Sequence, residues 1–127
     1  MTLKSKDKRK FSGSIKNCLE GINFVITNES NFKKEIVIGI IALLLSYILK
    51  ISRIEFTIIL IMIALVLTSE IINTSIEKVV DLYTKDYNNL AKIAKDVSAG
   101  SVLVMSIFSL LVGAIIFLPK IISVLGG

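Results

Sequence analysis

The 127 residues allow one domain at most, and 54% of them are hydrophobic, above the roughly 45–50% usual for soluble domains. The mean hydropathy of +0.79 is concentrated in charge-free runs, Ile36–Leu49, Phe56–Ser69 and Val97–Leu118, which argues for a membrane protein over a soluble helical bundle. A net charge of +5 would suit nucleic acid, but eight of the fifteen Lys and Arg precede residue 35 and four more (Lys78, Lys85, Lys92, Lys95) flank a later polar segment, so the charge follows the membrane and not a binding face.

Residues 1–10 read as a solvated basic tail. From 11 to 28, apolar residues recur at Phe11, Ile15, Leu19, Ile22 and Ile26, a helical stripe with Lys16, Glu20 and Asn23 on other faces. Such a helix lies in the membrane interface or packs on the protein's own cytoplasmic face; the pattern fits both. Asn28-Glu29-Ser30-Asn31 breaks the stripe and offers N-cap residues for a first transmembrane helix over 32–50. Lys50-Ile-Ser-Arg53 is a minimal turn, which makes the second span, 54–82, an antiparallel neighbour of the first. Tyr83 to Asn89 is polar and turn-like, and a third span occupies 95–119, closed by Pro119 and Gly126-Gly127. The expected fold is therefore all-α: one amphipathic surface helix and three transmembrane helices. The basic residues place the N-terminus and the segment between spans two and three in the cytoplasm. Nine of the ten acids fall on that side too, leaving Glu55 alone outside.

The second span carries polar residues at Glu70, Asn73, Glu77 and Asp81, spaced i, i+3, i+7, i+11. At about 100° per residue these fall within one narrow face, and Thr74 adds a hydroxyl beside them. Ionisable groups in a span are costly and face a partner, a cavity or a substrate. One Asn would serve as polar glue between helices, but three carboxylates on one stripe repel unless a cation sits among them. The stripe descends from water toward lipid, with Glu70 deepest. Asp81, at the watery end, reads equally well as a solvated or structural acid.

At the start of the third span, Lys95-Asp96 is followed by Val97-Ser98-Ala99-Gly100-Ser101, whose small residues suit close helix packing or a ligand. There is no Walker motif and no G-x-G-x-x-G loop, and histidine is absent, so metal chemistry would fall to carboxylate oxygens and hard ions such as Mg²⁺. Cys18 is the single cysteine and forms no intrachain disulfide. Asn28-Glu-Ser and Asn73-Thr-Ser match glycosylation sequons by chance, given their positions.

Three segments together resemble the small integral-membrane lipid kinases of bacteria, the prokaryotic diacylglycerol kinase and undecaprenol kinase family. They are Asn28-Glu29 with Asn31-Phe32-Lys33, the string Glu70-Ile-Ile-Asn73-Thr-Ser-Ile-Glu77-Lys-Val-Val-Asp81, and Leu90-Ala-Lys-Ile-Ala-Lys95-Asp96-Val-Ser-Ala-Gly100-Ser-Val-Leu. The resemblance covers nearly the whole chain. It implies a homotrimeric helical bundle of the bacterial cell membrane, with sites between subunits, that transfers the γ-phosphate of MgATP to a lipid alcohol. By the same resemblance Glu70 is the general base supported by Asn73, and Glu29 and Glu77 hold Mg²⁺. Lys10, Asn17, Asp86, Asn88, Lys95 and Asp96 would contact ATP, and Ala99 would sit with Glu70 at the lipid. The chain departs from the family's usual residues at Lys10 (commonly Arg), Asn17 (often aromatic) and Asn88 (commonly His).

The Leu90–Val104 stretch and Phe117-Leu-Pro-Lys-Ile121 look most like the Gram-positive branch, which implies undecaprenol as acceptor, with diacylglycerol the alternative. An ion carrier using Glu70 as relay would need acids through the depth of spans one and three, and their runs Ile36–Leu49 and Val97–Leu118 have none. A scaffold would explain the small residues but not the acids.

Overall fold

Short polar segments divide the chain into four helices in a computed structural model that describes residues 11–127; the basic tail and Lys10 lie outside the described residues. The helices are α1 (Phe11–Asn28), α2 (Ser30–Ile48), α3 (Arg53–Tyr83) and α4 (Asn89–Gly126). The α1–α2 break differs from the expected N-cap. Glu29 occupies the cap in extended backbone without a side-chain bond to the helix, and Asn28 turns back, its Nδ2 donating to the Phe24 carbonyl at 2.8 Å. Glu29 is thereby free to point elsewhere.

The α2–α3 turn is fixed by local bonds. Lys50 takes a left-handed backbone (φ 51°), and the Ile51 N–H reaches back to the Ser46 carbonyl at 3.3 Å, closing α2. Ser52 then caps α3: its Oγ accepts from the Glu55 N–H at 3.1 Å while the Glu55 carboxylate accepts from the Ser52 N–H at 3.2 Å. Asn88 caps α4 in the same spirit, its Oδ1 accepting from the Ala91 N–H at 3.1 Å.

α3 and α4 form a long antiparallel hairpin, the most extensive helix pair. Its register is marked at both ends, Asp81 to Lys95 at 2.7 Å and Glu55 to Lys120 at 3.7 Å. α2 packs on α3 with Gly39 against Ile63: a Cβ at Gly39 would stand 3.2 Å from Ile63 Cγ2. α1 touches α2 and α3, with Lys78 Nζ 5.5 Å from the Phe24 ring centre.

The sequence reading ended the third span at Pro119, whereas α4 continues through it to Gly126. Proline removes one helix bond, a loss that neighbouring elements in membrane helices make good, and the Lys120–Glu55 pair ties the next turn back to α3.

Burial is inverted relative to a soluble bundle. The buried apolar residues are Val25, Phe32, Ile59 and Ile116, while Ser46, Ser69, Glu70, Asn73, Thr74 and Ser98 are buried polar ones. Leu110 and Ile115 on α4 are 72% and 73% exposed. Contiguous apolar surface on this scale needs lipid or other helices to cover it. α3 and α4 are each long and apolar enough to cross a membrane. α2 carries Lys33, Lys34 and Glu35 in its first turns and leaves 14 uncharged residues behind them, Ile36–Leu49.

Candidate active site

A cavity of about 340 Å³ opens where α2, α3 and α4 meet. Glu29, at the N-cap of α2, forms one wall; Glu70, Asn73 and Glu77 of α3 form another; Ala99 and Ser106 of α4 complete it. The i, i+3, i+7 spacing brings the α3 residues to one side, and the uncapped break before α2 brings Glu29 to meet them. Glu70 is 3% exposed and Asn73 6%.

The polar network is partial. Asn73 Nδ2 donates to Glu77 Oε1 at 3.2 Å, fixing the Glu77 carboxylate, while Asn73 Oδ1 is buried and meets no donor. Thr74 Oγ1 donates to the Glu70 backbone carbonyl at 3.1 Å, so its hydroxyl serves the helix and leaves the carboxylate alone. Three carboxylates and an unpartnered amide oxygen around one cavity form a surface of acceptors. Such a surface holds a cation or a hydrogen-bond donor. Among the described residues, no three Asp, Glu or Cys side chains converge into a metal cage.

A second cavity, about 380 Å³, lies alongside, lined mainly by apolar residues such as Ile59, Val66 and Phe117. Ser106 lines both cavities. Glu35 lines the second one and has a buried Oε2 without a partner. The sequence reading did not single out Glu35, because it closes the charged triplet Lys33-Lys34-Glu35. The available signal was its spacing: Glu35 lies three residues after buried Phe32 and four before buried Gly39, on the inward side of α2.

The remaining sequence-predicted residues sit outside the polar cavity. Lys95, one turn before Ala99 on α4, donates to Asp81 Oδ1 at 2.7 Å. Asp96 pairs with Lys92 at 2.6 Å on the exposed face of α4. Asn88 is occupied as a helix cap, and Asp86, in the same connection, is exposed, as is Asn17 on α1. Lys10 lies outside the described residues.

Residues 16–117 match the sequence profile of a family described as prokaryotic diacylglycerol kinase. An undecaprenol kinase of Bacillus subtilis (strain 168) is 36% identical over 121 residues, which span 92% of this chain and 98% of that protein. A diacylglycerol kinase of Synechocystis sp. is 32% identical over 83% of this chain and 61% of its own length. Another, from Haemophilus influenzae, is 30% identical over 82% of this chain and 89% of its own length.

Proposed function

The chain belongs to the prokaryotic diacylglycerol kinase family, lipid kinases of the membrane, and we propose that it moves the γ-phosphate of ATP to the hydroxyl of undecaprenol. The observation that carries this reading is the polar cavity of Glu29, Glu70, Asn73 and Glu77, which meets an apolar cavity at Ser106. The apolar side suits the first units of an isoprenoid chain, whose terminal hydroxyl would then stand at the acids. The Bacillus relative, matched along almost its full length, is the support for undecaprenol; the two diacylglycerol kinases support a diacylglycerol acceptor as second reading.

In this mechanism the Glu70 carboxylate takes the proton of the lipid hydroxyl. The freed oxygen forms a bond to the γ-phosphorus, the bond from that phosphorus to the β–γ bridging oxygen breaks, and ADP departs with the electron pair. Phosphoryl transfer asks mainly for positioning and charge neutralisation. Glu29 and Glu77 would hold Mg²⁺, which when bound screens the phosphate charges. This donor set fits the ion: Mg²⁺ takes one or two carboxylates plus phosphate oxygens and needs no all-protein cage. The unpartnered Asn73 Oδ1 adds a further oxygen on the same wall. Lys95 and Asp96 meet ATP from the cytoplasmic side, with Lys10, Asn17, Asp86 and Asn88 as further contacts.

The same reading has α2 crossing the membrane with α3 and α4, the N-terminus and site facing the cytoplasm across the bacterial cell membrane, and three copies assembling. Assembly would cover apolar surface that one chain leaves bare. Replacing Glu70 with Gln tests the base directly: phosphorylation of the lipid falls by at least about 10²-fold while ATP binding persists. Transfer at a near wild-type rate by Glu70→Gln would remove Glu70 from that role.

A further inference from the structure

Asp81 is the member of the α3 stripe that does not line the polar cavity. Its Oδ1 instead accepts the 2.7 Å bond from Lys95 Nζ, which bridges the two arms of the α3–α4 hairpin. Glu77 lies one turn from Asp81 along α3, and Ala99 one turn from Lys95 along α4, and both line the cavity. The ion pair therefore stands at the cavity's rim. The side chains are 40% and 35% exposed, a setting in which ion pairs add little to stability. Its effect is then on geometry. A lysine stem left alone spreads over many rotamers, whereas an ammonium bonded to Asp81 through one proton keeps two more donors for another acceptor. Lys78 and Lys85 also act on Asp81, and Lys92 is engaged by Asp96.

We propose that Asp81 is a positioning residue, holding the Lys95 ammonium at the cavity rim where nucleotide phosphates bind. The proposal rests on the kinase reading above, in which Lys95 meets ATP. Asp81 itself touches no substrate; it limits where Lys95 can go and so lowers the entropy lost when phosphate arrives.

The test uses the full chain in lipid nanodiscs, titrated with adenylyl imidodiphosphate and Mg²⁺. Asp81→Asn raises the dissociation constant about five-fold, with the thermal midpoint unchanged, and Asp81→Glu recovers binding to within about twofold of wild type. In turnover, KM for ATP rises while kcat at saturating ATP holds. In a Lys95→Met background, adding Asp81→Asn changes nothing further. Equal or tighter binding by Asp81→Asn overturns the proposal, as does an undiminished effect in the Lys95→Met background. Either result leaves the kinase reading standing if the wild type binds the analogue. A wild type that does not bind it takes down both.

Discussion

Among the described residues, nothing bonds the carboxyl of Glu70, although the residue is 3% exposed at the deep end of the α3 polar stripe. A buried acid without a protein partner is costly, so its partner is expected from outside the chain. Glu77 differs: Asn73 fixes one of its oxygens and leaves the other for a cation. Glu77→Gln is expected to raise the Mg²⁺ concentration for half-maximal turnover about tenfold, measured by metal titration at saturating ATP. An unchanged metal dependence would place the ion elsewhere. The stripe was legible because a fixed spacing on one helix determines which side chains share a face. Glu35 and the partner of Asp81 were not, since Glu35 hides in a charged triplet and the Asp81–Lys95 bond exists only once α3 and α4 are laid side by side.

At the scale of elements, two local features decide how α2 is joined to α3. Lys50 holds a left-handed backbone (φ 51°) that glycine adopts without strain, so Lys50→Gly should stabilise the fold by about 1 kcal/mol. Ser52→Ala removes the hydroxyl half of the capping box and should cost about 1 kcal/mol. Thermal unfolding in one detergent measures both, and shifts of the opposite sign would contradict these assignments. The turn chemistry was readable from Lys50-Ile-Ser-Arg53, and the helical pattern gave α3 nearly to its end. Pro119 misled because proline ends helices in water; here α4 continues, with Lys120 paired to Glu55 just past the ring.

At the scale of the molecule, apolar surface faces outward and polar groups face inward, which fits lipid as the surrounding medium. Cys18, exposed and unique, reports topology without engineering. With three crossings, a membrane-impermeant maleimide labels Cys18 in inside-out vesicles and not in intact spheroplasts, while a tag after Gly127 shows the reverse. If only α3 and α4 cross, both ends appear on one side.

The most direct measurement supplies purified protein with γ-labelled ATP and Mg²⁺ and follows label into undecaprenol and diacylglycerol in parallel. Label is expected in undecaprenyl phosphate, ahead of phosphatidic acid, and absent from both with Glu70→Gln. Preferential labelling of diacylglycerol would move the acceptor, and no ATP-dependent label in either lipid would contradict the central claim.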